Sequence, residues 1–196
     1  MIALAQDWRD AADGAAWIGA LTPVATPRGP VEAGRLRAGD VVLCCEGHRR
    51  VRSVRQAAMP LGDVVAPVLL RAPYFARCSD LVVSPDQPVV LHGAVVEYLF
   101  GEDAVLAEAR QLVDGRTALP VADIGAVTDC ALVPGQVGAG RAGAVILALD
   151  RGGSVLADSC ALAMPGPQGN RPRLLCAYEA AAYLSHRWDG NLGCVA

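Results

Sequence analysis

Short apolar runs separated by turn-forming residues make up most of the sequence between residues 22 and 164. Residues 41–45 form an apolar run after an Ala-Gly-Asp turn signal, and residues 51–55, Val-Arg-Ser-Val-Arg, continue as a strand after a Glu-Gly-His turn. Two strand-like segments around a short turn predict a β-hairpin. By the same pattern we expect further strands at residues 64–70, 81–83, 89–91 and 95–98, while residues 105–112 fit either a strand or a helical turn.

The last third of the chain carries a second hairpin signal and one helical segment. Residues 144–149 and 154–157 are apolar runs on either side of Asp-Arg-Gly-Gly, which predicts a hairpin at residues 150–153. Residues 174–184 contain strong helix formers and follow Pro172, so we expect a terminal helix there.

These patterns together predict the fold class and the domain division. We expect an all-β (mainly β) domain with a short N-terminal arm and a C-terminal helix or tail. The Pro- and Gly-rich stretch at residues 165–170 is the clearest linker. The predicted division is an N-terminal arm at residues 1–16, a β domain at residues 17–164, and a linker and C-terminal tail at residues 165–196.

The composition supports a folded core and gives no drive toward nucleic acid. Of the 196 residues, 53% are hydrophobic and 19% are charged, so the chain can bury a sizeable core. Aromatic residues make up only 5%, so that core is built mainly from Val, Leu, Ala and Ile. The net charge of −3 favours neither nucleic acid nor an anionic membrane as a partner.

The start of the chain and its cysteines bear on the location of the protein and on its disulfide and metal chemistry. The chain begins with acid where a signal peptide needs base, and no apolar stretch approaches the roughly 20 residues that span a bilayer. We therefore expect no signal peptide, no membrane insertion and a cytoplasmic or particle-associated protein. Seven cysteines without a Cys-x-x-Cys spacing, and three separated histidines, predict no disulfide framework, no metal and no other cofactor.

An ordered set of short motifs resembles a known family. The set is Thr22-Pro23-Val24-Ala25-Thr26-Pro27-Arg28-Gly29, then Leu36-Arg37-Ala38-Gly39-Asp40-Val41-Val42, then Asp80-Leu81-Val82-Val83-Ser84-Pro85. In this order the motifs are similar to the Hint domain, the Hedgehog/intein self-processing fold, and most of all to the stand-alone branch found in alphaproteobacteria. The resemblance covers roughly residues 17–183 and implies a compact β domain.

The resemblance also implies a chemistry whose key positions are altered in this chain. In the family, a Cys or Ser at the first residue attacks the preceding carbonyl, and a Thr-x-x-His element polarises that peptide and protonates the leaving amine. Here Trp17 stands at the nucleophile position, Ser84 at the hydroxyl position and Gln87 at the histidine position, and Ile146 replaces a further histidine. An indole offers no lone pair for acyl attack, and a glutamine does not titrate near neutral pH. The resemblance therefore implies a degenerate site.

Other residues are candidates for chemistry or binding. Cys78 precedes Ser79-Asp80 in an expected loop and is the first candidate for an alternative nucleophile, with His92 as its base, whereas Cys44 and Cys45 fit core packing. The segment after residue 47 places four arginines close together. They are Arg49, Arg50, Arg52 and Arg55. In a regular strand Arg50 and Arg52 would share one face, and Arg49 and Arg55 would point to the other. The four side chains predict either a site that binds phosphate, sulfate or a sugar acid, or a charged hairpin edge that prevents aggregation.

These observations favour a non-catalytic Hint-like module that acts as a structural or binding subunit. The expected partners are proteins of a larger assembly, for instance a surface or phage-like particle, with surface polysaccharide as a further possible contact. Two alternatives stay open. One is a self-processing protein with atypical catalytic residues, and the other is a module that binds anionic polymers through its arginines.

Overall fold

The computed structural model describes residues 16–60, 66–76, 79–121, 141–167 and 171–189, and these consist mainly of β-strands. The strands are β1 (Ile18–Gly19), β2 (Pro23–Val24), β3 (Val31–Glu32), β4 (Val41–Cys44), β5 (Gly47–Pro60), β6 (Val68–Leu70), β7 (Leu81–Val83), β8 (Pro88–His92), β9 (Ala104–Glu108), β10 (Ala118–Pro120), β11 (Arg141–Leu149), β12 (Gly153–Ala157) and β13 (Cys160–Met164). The helices are α1 (Ala94–Phe100) and α2 (Ala177–Asp189), with short 3-10 helices at Ala33–Arg35, Tyr74–Ala76 and Ala109–Leu112.

All the strands belong to one antiparallel sheet, which confirms the predicted all-β class. The strand order is β10-β6-β7-β1-β11-β5-β4-β12-β13-β8-β9, and β2 and β3 join through β12. The sheet is organised around the long strand β5, which pairs with β11 along most of its length and with β4 at its start. Residues 1–15 of the predicted N-terminal arm lie outside the described residues.

The main hydrophobic core is built mainly from aliphatic side chains, as the composition predicts. Its fully buried members come from strands that are far apart in the sequence, because each strand places alternate side chains on the core side. They include Ile18, Val83, Val145, Leu147, Val155 and Leu162.

The structure contains the two hairpins β4–β5 and β12–β13, and the sequence predicts only the first of them. The β4–β5 hairpin is confirmed, with Cys44 opposite Gly47. The hairpin expected at residues 150–153 is wrong, because β11 pairs with β1 and β5 whereas β12 pairs with β2, β4 and β13. The hairpin after β11 is instead β12–β13, closed by Asp158 and Ser159 with φ values of 46° and 69°. Positive φ at both central residues is typical of a type I′ turn.

The strand expected at residues 95–98 is also wrong, because these residues form helix α1. Their β-branched and aromatic side chains favour strands by propensity, but glycines at both ends favour a helix here. Gly93 has a φ of 101°, and Gly101 ends the helix in the left-handed conformation with its N–H donating to the Glu97 carbonyl at 2.9 Å. Burial of Val96 against the main core then holds the helix on the sheet.

The remaining predictions near β9 and the C-terminus are confirmed with shifted boundaries. Residues 105–112 contain both predicted alternatives in succession, since β9 is followed directly by a 3-10 helix. The terminal helix begins at Ala177 instead of residue 174, because the preceding segment is extended. The N–H of Leu106 donates to the Arg173 carbonyl at 2.8 Å, and the N–H of Leu175 donates to the Leu106 carbonyl at 2.7 Å.

The turn before β10 is held by one carboxylate. Asp114 accepts hydrogen bonds from the N–H groups of Arg116, Thr117 and Ala118 and from the Thr117 hydroxyl, at 2.6–3.1 Å. Partial burial opposes ionisation of Asp114, but the N–H of Arg116 and the other donors outweigh it and hold its pKa below the usual value.

We expect the Asp114→Ala variant to lose about 1 kcal/mol of unfolding free energy at pH 7, because the charge-assisted bonds vanish from a half-buried site. A lowered pKa in the folded state means that this stabilisation is present above the ordinary aspartate pKa and is lost as the pH falls through the folded value. Urea unfolding at pH 7 and at pH 3 tests this, with Asp114→Asn as the variant that keeps one acceptor oxygen. An equal loss at both pH values would contradict it.

Candidate functional site

The peptide group between residues 16 and 17 is fixed against the residue that follows β7. The Trp17 N–H donates to the Ser84 Oγ at 3.0 Å, and the Ser84 N–H donates to the Trp17 carbonyl at 2.9 Å. Pairing of Ile18 with both Val83 and Val145 brings these two residues together, because β1 lies between β7 and β11. The structure therefore places the hydroxyl position implied by the resemblance directly on the peptide at which processing would take place.

Gln87 closes the turn that begins at Ser84, and its side chain is used structurally. Its N–H donates to the Ser84 carbonyl at 3.0 Å. The side chain is fully buried, and its Nε2 donates to the carbonyls of Pro88 and Ala163 at 3.0 and 2.9 Å. The Gln87 amide thus joins the start of β8 to β13, and its recorded hydrogen bonds do not involve the Trp17 peptide.

An apolar cluster surrounds the Trp17 side chain, separate from the main core. We call it the junction cluster, and its members are Trp17, Leu69, Val82, Val121 and Ala144, with Leu119 and Ile146 packed against it. Trp17 itself is only 7% exposed. The cluster therefore contains two of the positions at which the resemblance implies catalytic residues, and none of its side chains can attack a carbonyl or carry a proton.

The other buried members of the junction cluster, Leu69, Val82, Val121 and Ala144, carry no candidate chemistry in the sequence. Leu69 and Val82 are the central residues of two strands in which every residue is buried, β6 and β7. Their neighbours in each strand belong to the main core, so these strands are covered on both faces. Continuous apolar runs such as Val-Leu-Leu and Leu-Val-Val are typical of strands buried on both faces, and this signal could have indicated a second cluster.

The cysteines near the centre of the sheet are poor nucleophiles. Burial, together with the Glu46 carboxylate, raises the pKa of Cys44 to about 12, and the same two causes raise the pKa of Cys45. Because the thiolate is the reactive form, the raised pKa makes both thiols weaker nucleophiles at neutral pH. Core packing is correct for Cys44 but wrong for Cys45, which is exposed because it forms the β4–β5 turn.

The alternative nucleophile Cys78 lies outside the described residues. His92, its suggested base, is exposed at the end of β8.

The four arginines lie on β5, but the regular alternation expected for them is interrupted. Leu149 pairs with Val51 and Ala148 pairs with Ser53, so β5 has an extra residue at position 52. A bulge of this kind changes which face the following side chains occupy, so the shared faces expected for a regular strand are wrong here. Two guanidinium groups already donate to main-chain carbonyls at 2.9 Å, that of Arg49 to His48 and that of Arg50 to Gly39.

The described ranges show neither a metal cluster nor a membrane-spanning helix. No group of three or more His, Cys, Asp or Glu side chains in these ranges is arranged to hold a metal ion. In the same ranges, neither helix combines the length and the apolar character needed to cross a membrane.

Comparison with known proteins identifies the family. The sequence model of the Hint domain matches residues 19–133. Two solved structures of the MchDnaB-1 intein are similar at 13% identity: the N145AA form has a TM-score of 0.46, with 76% of this chain and 99% of the intein covered, and the other has a TM-score of 0.45, with 75% and 98% covered. No curated protein matches. Because the family match spans more than half of the sequence, this chain belongs to the Hint domain family.

Proposed function

We propose that this Hint domain does not process itself at residue 17 and acts instead as a structural or binding module. The observation that carries the proposal is the junction cluster, in which Trp17 and Ile146 pack together at two positions where the family resemblance implies a nucleophile and a histidine. Acyl transfer needs an activated nucleophile next to the carbonyl of residue 16, and the buried indole offers none.

Ser84 does not replace the missing nucleophile. Ser84 is only 3% exposed, and within the described residues its hydroxyl oxygen accepts one hydrogen bond, from the Trp17 N–H. A serine attacks a carbonyl only when a neighbouring base removes its proton, and no described carboxylate or imidazole is hydrogen-bonded to Ser84. This favours the non-catalytic reading over self-processing with atypical residues.

The exposed aromatic side chains on the helical side of the domain support a binding role. Tyr98 on α1 and Tyr178 on α2 are 80% and 83% exposed, and Leu174 is 50% exposed. Large, exposed tyrosine side chains are common in protein interaction surfaces. A protein neighbour in a larger assembly, such as a surface or phage-like particle, is the partner we propose, and a surface polysaccharide is the second candidate.

Intact-mass measurement tests the loss of processing. We expect the full chain to keep its mass of about 20.3 kDa after incubation with dithiothreitol, because no thioester or ester forms at the junction. The matched variant is Trp17→Cys, which restores the nucleophile alone and should also stay intact because Gln87 cannot protonate the leaving amine. A fragment beginning at residue 17 from the unaltered chain would overturn the proposal. Cleavage of the Trp17→Cys variant, but not of the unaltered chain, would mean that the replacement of residue 17 alone accounts for the loss of processing.

A further inference from the structure

A cavity of about 580 Å³ lies between the β2–β3 hairpin and the β4–β5 hairpin, apart from the junction cluster. This volume falls within the range of sites that hold small molecules. The β2–β3 hairpin is fixed by reciprocal main-chain hydrogen bonds between Thr26 and Gly29 at 3.2 and 3.0 Å. The N–H of Leu43 donates to the Ala25 carbonyl at 2.8 Å and ties the two hairpins together. The walls of the cavity are therefore preformed.

The lining of this cavity combines an apolar floor with two opposite charges. Val31, Leu36 and Val41 supply aliphatic surface, and Leu36 is anchored in the main core. Arg28 and Asp40 line the same cavity and form no ion pair with each other or with another described residue. Two exposed, opposite charges that border an aliphatic floor in one cavity match a ligand that carries both charges at a distance from each other.

The hydrogen bonding of the two charged side chains leaves groups for such a ligand. Asp40 accepts the Arg37 N–H through Oδ2 at 2.8 Å, and its Oδ1 has no recorded partner among the described residues. The only recorded contact of Arg28 is through its main-chain N–H, which donates to the Thr26 hydroxyl at 3.2 Å. The guanidinium is therefore free of described partners and can bind a carboxylate through two parallel N–H donors.

We propose that this cavity binds a small zwitterion with an apolar body, of the class of free amino acids and dipeptides. The ligand carboxylate pairs with Arg28, its ammonium donates to the Asp40 Oδ1, and its aliphatic side chain packs on the floor formed by Val31, Leu36 and Val41. Both charges are needed, so a free dipeptide fits, whereas an internal peptide segment does not. The inference does not depend on the loss of processing at residue 17.

Titration of the full chain with L-leucyl-L-leucine, followed by NMR chemical-shift changes, tests this site. We expect saturable binding, and about fivefold weaker binding of both the N-acetylated and the C-amidated dipeptide, because each lacks one of the two charges. Equal affinity for the free and the blocked dipeptides would overturn the proposal. The absence of saturable binding up to about 10 mM would overturn it as well.

Two variants assign each charge to its partner. Asp40→Asn keeps an acceptor for the Arg37 N–H, so the turn is preserved, and it should abolish the preference for the free over the N-acetylated dipeptide. Arg28→Gln should abolish the preference for the free over the amidated dipeptide. The matched control is Arg151→Gln, an exposed arginine outside the cavity, which should leave all three affinities unchanged. Retention of both preferences in the two cavity variants would overturn the assignment.

Discussion

The Trp17→Ala variant is expected to lose about 3–5 kcal/mol of unfolding free energy, the largest loss of any single truncation at the junction cluster. Trp17 is 7% exposed and is the largest side chain of that cluster, so its removal takes an aromatic ring out of a packed site and leaves a cavity. A domain of this size is stable by about 5–15 kcal/mol, so the loss is a substantial part of the total.

Urea unfolding followed by circular dichroism measures this loss without relying on tryptophan fluorescence. The matched control is Trp17→Phe, which keeps an aromatic ring in the cluster and should lose much less. Leu119→Ala provides a second reference, since Leu119 only packs against the cluster from a partly buried position. A loss below about 1 kcal/mol for Trp17→Ala would mean that the cluster does not stabilise the domain.

The Gln87→Glu variant should be destabilised by about 3–5 kcal/mol at pH 7, although it changes only one atom of the side chain. Gln87 is fully buried, and its Nε2 lies 3.0 and 2.9 Å from the carbonyls of Pro88 and Ala163. A carboxylate there would place a charge among acceptors without a donor.

The pH dependence of that variant distinguishes a buried charge from a simple packing defect. Burial raises the pKa of the introduced carboxyl above its unfolded value, so the folded state holds its proton more tightly. The variant is therefore least destabilised below the ordinary glutamate pKa of about 4.3 and loses stability as the pH rises through the folded value. Unfolding curves at pH 4 and pH 8 measure the change.

Gln56→Glu is the control, because Gln56 is exposed and also donates to a carbonyl, that of Gly34. We expect a loss below about 1 kcal/mol and little dependence on pH for this variant. Equal losses at positions 56 and 87 would contradict the buried role of Gln87.

Local patterns predicted where several strands lie, but they predicted strand partners only where the pairing is local. The run at residues 81–83 coincides with β7, whose pairing with β1 and β6 no local pattern indicates. The β4–β5 hairpin follows from a short turn between two strand-like segments. The hairpin at residues 150–153 fails because long-range partners decide where β11 and β12 pair. Helix α1 fails for a different reason, since the glycines at its ends outweigh the strand propensity of the residues between them.

The part of the candidate site that belongs to the family motifs could be predicted from the sequence. The order of motifs places Trp17 and Ser84 at the junction, and the structure brings them within a hydrogen bond of each other. The junction cluster depends instead on residues in or next to five strands that are distant in the sequence, β1, β6, β7, β10 and β11, and no local spacing indicates which of their side chains meet. The Arg28–Asp40 cavity escaped the sequence analysis because its two walls come from different hairpins.

The short extended segment before α2 has a consequence for self-association. β9 ends the strand order of the sheet, and an unpaired outer strand is a template for strands of other molecules. Leu106 is bonded there to Arg173 and Leu175, so the main chain of β9 is already occupied at its centre. The Arg173 side chain, paired with Glu102 and Glu179, adds charge at the same edge. The C-terminal segment thereby limits edge-to-edge association at the β9 edge of the sheet.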